Sequence, residues 1–337
     1  MSSASSREPV MADVARLAGV SHQTVSRVLN SHPNVKPATR TRVLVAIEEL
    51  GYRRNSSARA LVTRRTSVIG VVAFDLTLYG PARTLAGIEQ AARAQGYFLS
   101  MVGLQGVTRE AMREAMDYLA QQSAEGCIVI APQRIVVDAL AELAFPLPVV
   151  AVEGGEAPGL PVVCVDQRGG ARDVVRHLLA QGRHRTVHHL AGPLGWLEAE
   201  GRVLGWRQAL EEAGRPVPEP VYGDWSSRSG YTLGAQLAAD PDVSALFVAN
   251  DQMALGVLRA LAEAGRRVPE DVSVAGFDDI PEAEFFTPPL TTVFQDFAEV
   301  GRRSINLLLD RIEAPRSTEP PASDIVPARL IARASAP

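Results

Sequence analysis

Cysteine is almost missing from this 337-residue chain, which has two. Cys127 in GCIVIA and Cys164 in VVCVDQ both lie inside strand-like apolar runs, where a thiol behaves as a small hydrophobe. Neither a disulfide framework nor a thiolate metal site is expected from them. Lysine is scarcer still: Lys36 stands alone against 33 arginines, which excludes a phosphate-gripping P-loop lysine or a Schiff-base lysine in the body of the chain. No apolar run approaches a membrane span, and MSSASSREPV lacks the apolar core of a signal peptide, so a cytoplasmic location without membrane contact is expected. Catalytic signatures are absent too. There is no GxSxG, GxGxxG or GxxxxGK[ST], and the adjacent carboxylates Asp278 and Asp279 need not face one another. In the cluster of His184, His188 and His189, the last two alternate on a strand with no cysteine near enough to complete a metal site. The expectation is therefore a protein that is not an enzyme, with no catalytic residue, cofactor or metal.

What is present divides the chain in two. Residues 1–65 carry eleven Lys or Arg against four acids, a net +7, which leaves −11 for the remainder of a chain whose total is −4. A basic head on an acidic body would meet a polyanion head first. Within the head, DVARLAGVSHQTVSRVLN spaces its apolar residues for two short helices. Val14, Leu17 and Ala18 share one face of the first, Gly19 and Val20 form a tight turn, and Ser21 caps a second helix starting at His22. That helix buries Val25, Val28 and Leu29 and turns His22, Gln23, Ser26 and Arg27 outward, a face suited to base edges and phosphates in a major groove. A third helical segment runs from Pro37 to Leu50.

A connector, YRRNSSARALVTRR, follows. Capped by Asn55 or Ser56, it could form about two helical turns to Val62, too short to hold alone in water, with Leu61 as an apolar tip and Arg59 as a basic side. The competing reading is a flexible basic linker.

From Ser67 the pattern becomes short apolar strands alternating with longer helical stretches, first SVIGVVAF, YFLSMVGL, GCIVIA and PVVAV, then TVHHLAG, SALFVAN and SVAGF. The fold class is α/β: two doubly wound parallel-sheet subdomains behind an all-α head and hinge helix. In such folds ligands sit beyond the carboxyl ends of strands, in a cleft between the halves. Those positions hold Glu153, Trp196, Glu198, Arg202, Asn250, Asp251, Gln252, Asp278 and Asp279, with Trp225 in GDWSS and Phe297 in VFQDF nearby. Carboxylates, amides, a guanidinium and aromatic plates together suit a polyhydroxylated ligand. Each also has a structural alternative: Asn250 or Asp251 as a helix cap, Asp278 as a turn former, Trp225 as a core aromatic, Arg202 as a surface partner of Glu198.

The motifs ADVARLAGVSHQTVSRVLN, VKPATRTRVLVAIEELGYRRN, HLAGPL, GDWS, ANDQMALG, VSVAGFDD and PPLTTVFQDF make the chain resemble, over nearly its whole length, the lac repressor (LacI/GalR) family of bacterial transcription regulators. The resemblance implies a homodimer on double-stranded, pseudo-palindromic operator DNA, with hinge helices paired in the minor groove and each body resembling a periplasmic sugar-binding protein. It implies a DNA-binding set of Ser21, His22, Gln23, Thr24, Ser26, Arg27, Asn30, Asn55, Ala58, Arg59 and Leu61, in which Leu61 is the wedge between base pairs. The effector-binding set becomes Leu78, Glu153, Trp196, Glu198, Arg202, Trp225, Asn250, Gln252, Asp278, Gln295 and Phe297. The implied domains are a head at 1–54, a hinge helix at 55–66 and an effector and dimerisation domain at 67–337. Its N-subdomain takes about 67–165 and 295–323, and its C-subdomain about 166–294 and 324–337. Two departures bear on function. Lys36 stands where the family often has a serine cap, and Trp196, Glu198 and Glu200 replace serines of the sugar-contacting stretch, which points to a larger glycoside such as a disaccharide. No leucine heptads follow IVPARLIARA, so a dimer rather than a tetramer is expected. The expected function is a repressor released from its operator by a sugar or glycoside. The alternatives are a corepressor or a non-sugar metabolite as effector, and further off a sugar-binding transport protein or an enzyme.

Overall fold

The computed structural model describes residues 9–29, 32–52, 65–104, 106, 108–141, 143, 145–153, 160–314 and 323–337, and the chain divides into two compact units between Thr66 and Ser67. The first unit is three helices, α1 (Met11–Ala18), α2 (His22–Leu29) and α3 (Pro37–Leu50). Asp13 accepts from the Val10 amide at 3.0 Å to close the start of α1, and Ser21 Oγ accepts from the Thr24 amide at 3.2 Å to cap α2. Pro37 opens α3 after Lys36, whose side chain makes no cap, because a proline in the first turn forfeits no helical hydrogen bond. Val14, Val25, Val28, Val43 and Ala46 close a small core, with Tyr52 against it. Leu17, expected on the buried face, is 45% exposed. The face that packs is centred on Val14, Ala15 and Ala18, and one residue's 100° rotation carries Leu17 past its edge.

The second unit begins with β1 (Val68–Phe74), α4 (Tyr79–Ala94), β2 (Phe98–Leu104), α5 (Arg109–Gln121), β3 (Gly126–Ile130), α6 (Arg134–Ala141), β4 (Val149–Val152) and β5 (Val162–Val165). These strands form a parallel sheet in the order β11-β5-β4-β3-β1-β2, with β11 (Ser323–Val326) arriving late in the chain. The interior strands are buried along nearly their whole length, as a sheet covered by helices on both faces requires. Ile69, Val71 and Ala73 face α4 and α11 (Phe297–Glu313), while Val72 and Phe74 face α5 and α6, so the period of two in β1 serves two separate cores.

The second half contains α7 (Gln167–Ala180), β6 (His188–Ala191), α8 (Leu197–Glu212), β7 (Val221–Tyr222), α9 (Ser227–Ala238), β8 (Ala245–Val248), α10 (Asp251–Glu263) and β9 (Ser273–Ala275). Its sheet, ordered β7-β6-β8-β9, is also parallel, with α7 and α8 on one face and α9 and α10 on the other. A short antiparallel pair, β10 (Thr292–Phe294) with β12 (Arg329–Ile331), lies beside it. Strands of two or three residues such as β7 and β10 are too short to leave a period in the sequence, and neither was anticipated. The chain crosses between the halves three times, after Val165, after Phe294 and after Val326. The last crossing corrects the expected boundary at 323/324: Ser323–Val326 pairs with Val162–Val165 and belongs to the first sheet.

Where α4 and α11 cross, only glycine fits. A Cβ on Gly301 would lie 2.2 Å from the Gly87 carbonyl carbon. Gly301→Ala should therefore lower stability by about 1–3 kcal/mol or more through overpacking. Urea denaturation followed by far-UV circular dichroism checks this, and an unchanged midpoint would contradict it.

Candidate functional site

Each unit carries one concentration of functional chemistry. In the head, α2 leaves His22, Gln23 and Arg27 exposed, with Ser26 half-buried on the same face. Ser21 and Thr24 are also hydrogen-bonded to one another through their hydroxyls at 2.9 Å, so both serve the helix start as well as standing at the surface. Ser21, Thr24 and Arg27 line a concavity of about 330 Å³ with Asn34, Lys36, Thr39 and Arg42. Three cations and several short polar side chains around one hollow are complementary to a phosphate backbone. Asn34, Thr39 and Arg42 escaped the sequence reading, whose only signal for them was the net positive charge of the head. Asn30, Asn55, Ala58, Arg59 and Leu61 lie outside the described residues, as does all of the hinge helix expected at 55–66 except its last two residues.

In the second unit a cavity of about 240 Å³ opens beyond the carboxyl ends of the strands. Ten of the eleven expected effector residues line it: Leu78, Trp196, Glu198, Arg202, Trp225, Asn250, Gln252, Asp278, Gln295 and Phe297. The eleventh, Glu153, does not. It is buried at the end of β4, where its carboxylate accepts from Thr84 Oγ1. Thr77, Tyr79, Gly80, Pro81, Ser226 and Ser227 also line the cavity and were missed, although all follow a strand or open a helix, where the strand-end rule would have found them.

The polar floor is a chain of hydrogen bonds closed by an ion pair. Arg202 Nε donates to Gln167 Oε1 at 2.9 Å, Gln167 Nε2 to Gln295 Oε1 at 2.8 Å, and Gln295 Nε2 to Asp278 Oδ1 at 2.7 Å. The loop closes on the Arg202 guanidinium, whose Nη2 lies 3.5 Å from Asp278 Oδ1. Arg202 is 4% exposed and Asp278 is 6% exposed. This excludes the surface pair of Arg202 with Glu198 and makes Arg202 a buried cation held by a carboxylate and two acceptor oxygens, the second being Ala249 O. The guanidinium also sits 4.0 Å from the Phe277 ring centroid and 5.5 Å from that of Trp225. Gln167 is the residue of this network that the sequence reading omitted.

For Asn250 the structural and functional readings hold together: its Oδ1 accepts from the Met253 amide and caps α10, its Nδ2 donates to Trp225 O at 3.1 Å, and it still lines the cavity. The neighbouring acids separate by role. Asp251 is fully buried beneath the site, accepting from the Ile280 amide and Thr292 Oγ1, and Asp279 turns to Arg333 at 2.8 Å, so only Asp278 of the three faces the cavity. Aromatic faces complete the walls. Trp196 and Trp225 meet edge to face with centroids 5.9 Å apart, and Tyr79 meets Phe297 likewise at 6.0 Å. Trp225 packs so tightly against the end of β6 that a Cβ on Gly192 would lie 2.1 Å from its ring. Its buried Nε1 has no partner among the described residues and is a donor available to an oxygen-bearing ligand.

Glu153, Trp225 and Asp278 all occupy the left-handed region, with φ of 64°, 72° and 110°. Such conformations in non-glycine residues cost on the order of 1–3 kcal/mol each and gather at ligand sites. Electrostatics follow burial. Desolvation pushes Asp278 up to about 6 against the pull of Arg202 and of the Gln295 amide. Burial also lifts Glu153 to about 7 and holds Glu198 well above the usual carboxylate range, where the nearby Glu153 charge adds to the effect. Among the described residues no three His, Cys, Asp or Glu side chains come together in a metal-binding group.

Residues 10–55 match the family model for bacterial regulatory proteins of the lacI family, and residues 175–336 match that of a periplasmic binding protein-like domain. The HTH-type transcriptional regulator CelR of Thermobifida fusca is 38% identical over 330 residues, 93% of this chain and 94% of that protein. Among solved structures, the lac repressor dimer bound to operator and the anti-inducer ONPF superposes with a TM-score of 0.83 at 33% identity, covering 98% of this chain and 99% of that one. The CelR–cellobiose complex superposes with a TM-score of 0.69 at 34% identity, covering 97% and 99%.

Removing one member of the buried pair strands the other. Arg202→Met should cost about 3–5 kcal/mol in chemical denaturation. Adding Asp278→Asn to it should recover part of that loss, and a single-variant cost under about 1 kcal/mol would show that the pair does not anchor the site.

Proposed function

The chain belongs to the lacI family of bacterial regulatory proteins, and from that premise we propose that it is a repressor whose hold on a palindromic operator is released when a sugar or glycoside fills the cavity around Asp278 and Arg202. That it is a DNA-binding transcriptional regulator with an effector-binding domain, and not an enzyme, follows from the family. The observation that carries the rest is the cavity itself: a closed polar ring under two pairs of crossed aromatic rings. Ring hydroxyls need donors and acceptors side by side, which Asn250, Asp278, Arg202 and Gln295 supply, while the C–H faces of a pyranose need apolar plates such as Trp196, Trp225 and Phe297. A related regulator was solved with cellobiose, which favours a glucose-type disaccharide as the first ligand to try.

We assign base reading to His22, Gln23 and Arg27, with phosphate contacts from the basic concavity beside them. Ser21, Thr24, Ser26, Asn30 and the connector residues Asn55, Ala58, Arg59 and Leu61 are assigned to the same interface by resemblance. The domain roles are a DNA-binding head at 1–54, a hinge at 55–66 and an effector and dimerisation domain from 67 onward. Two copies are proposed to pair through the apolar side chains that the second unit leaves exposed, Phe98 and Met101 on the edge strand β2 and Tyr222, Tyr231, Leu255 and Phe285 in the second half. No helix among the described residues is long and apolar enough to cross a membrane, and the protein is proposed to act in the cytoplasm, where its DNA is.

The proposed mechanism is a population shift. The cavity draws its walls from both halves of the second unit, so a ligand there changes how the halves close. In a dimer that movement re-spaces the two hinges and favours or forbids their ordering on DNA.

Two variants test the assignment. Asp278→Asn should abolish ligand-dependent release in a mobility-shift assay on DNA selected from a random pool, and leave binding without ligand unchanged. Equal loss of both would mean that Asp278 serves the fold alone. Gln23→Ala should cost roughly 1–3 kcal/mol on selected DNA and relax the preference at one base pair, leaving calorimetric ligand binding intact; unchanged sequence preference would remove Gln23 from base reading.

A further inference from the structure

Two helix starts meet across the cleft. Arg134 opens α6 beyond β3 of the first sheet, and Leu197 opens α8 beyond β6 of the second. The first amides of a helix have no partner inside it. Here the Arg134 amide donates to the Gly195 carbonyl and the Leu197 amide to the Pro132 carbonyl, both at 2.9 Å, which sets Gln133 opposite Trp196 in an antiparallel bridge. Gly195 makes the turn from the left-handed region, with φ of 79°. The Arg134 guanidinium also pairs with Glu200 in the first turn of α8. Neighbouring side chains then serve opposite halves: Leu197 packs on a core of the first half and Trp196 on a core of the second. No chain crossing imposes this contact. In the sheets β4 lies between β3 and β5, the strand from which the chain first crosses, and β8 lies between β6 and β9.

We propose that residues 132–134 and 195–197 form a latch that holds the two halves of the second unit together, and that an effector tightens this latch through Trp196. The inference rests on the effector reading given above. Trp196 belongs to both sites, since its backbone stands in the bridge while its indole lines the cavity. With the halves apart, the two amides and the two carbonyls return to water, so the bridge exists only in the closed arrangement. A ligand that packs against Trp196 and also touches Leu78 or Tyr79 of the first half binds that arrangement better than an open one, and shifts the population toward it. The ion pair adds little, because the Arg134 side chain is 59% exposed. The two backbone bonds carry the latch.

Proline can remove a latch bond without touching the helix. At the first helical position it forfeits no intrahelical hydrogen bond, and the extended bridge at Gln133 suits the residue before it. Arg134→Pro therefore deletes one latch bond, whereas Arg134→Ala removes the same side chain and ion pair and keeps that bond. Hydrogen exchange of the full chain, resolved to the Leu197 amide by fragmentation mass spectrometry, should be about two- to tenfold faster in Arg134→Pro than in Arg134→Ala. Equal rates in the two would overturn the latch. Should Arg134→Pro not fold, Leu197→Pro against Leu197→Ala, read at the Arg134 amide, makes the same comparison from the other side, with the same expectation and the same overturning result. The second arm adds cellobiose. It should slow exchange at both amides of wild type, and in calorimetry it should bind Arg134→Pro more weakly than Arg134→Ala, by up to the factor seen in exchange. Binding of cellobiose that leaves both amides unchanged would overturn the coupling through Trp196. If cellobiose gives no binding heat while proline still speeds exchange, the sugar reading falls and the latch stands.

Discussion

A guanidinium taken out of water must be answered by a carboxylate and by enough acceptors for its remaining protons, and this demand at Arg202 organises the effector half of the molecule. Asp278 supplies the charge, Gln167 and the Ala249 carbonyl accept from the other nitrogens, and Gln295 bridges the two sides. These residues come from the start of α7, the end of β8, the turn beyond β9 and the end of β10. Each must reach its place for the charge to be tolerated, so the short strands and strained turns around the cavity are consequences of one electrostatic requirement. Asp278 reaches inward at φ 110° because the next residue, Asp279, is tied outward to Arg333 and Asp251 pins the turn from below through the Ile280 amide.

The same requirement gives the cavity its selectivity. Asp278 and Gln295 already bond to one another, so a ligand that displaces or extends that bond must offer comparable geometry, which is how a site with buried polar groups rejects molecules that lack them. The ring belongs to the second half, while Thr77, Leu78 and Tyr79 bring the first half to the cavity wall, so a ligand that touches both bears on the distance between the halves. That distance is the quantity through which the proposed response of the DNA-binding head, carried by a dimer, would be coupled to the cavity.

Much of this was legible in the residues. The head could be read because helical period, turn and cap agree over a short span, and Leu17 failed only because an eight-residue helix has a narrow buried face that the period places to within one residue. The cleft could be read because parallel sheets put ligands at strand ends, and ten of eleven residues chosen on that basis and by resemblance line it. What sequence could not resolve was direction. Asp278 and Asp279 are equivalent as letters, and only the pairing of Asp278 with Phe294 on a three-residue strand turns one inward and the other out. Glu153 follows its strand as the rule asks, yet its side chain turns to Thr84 and does not line the cavity. Gln167 was passed over because a neutral amide after a strand carries no mark in the sequence; its role exists only once Arg202 and Gln295 flank it.

If cavity and head are two ends of one equilibrium, each ligand must change the other's affinity by the same factor. Trp196 and Trp225 line the cavity and report its occupancy by fluorescence, so the affinity for cellobiose can be measured with the protein free and saturated with DNA selected by the protein itself. Cellobiose should bind more weakly to the DNA-bound protein, by the same factor by which cellobiose weakens DNA binding. Ligand affinity that is indifferent to bound DNA would contradict it.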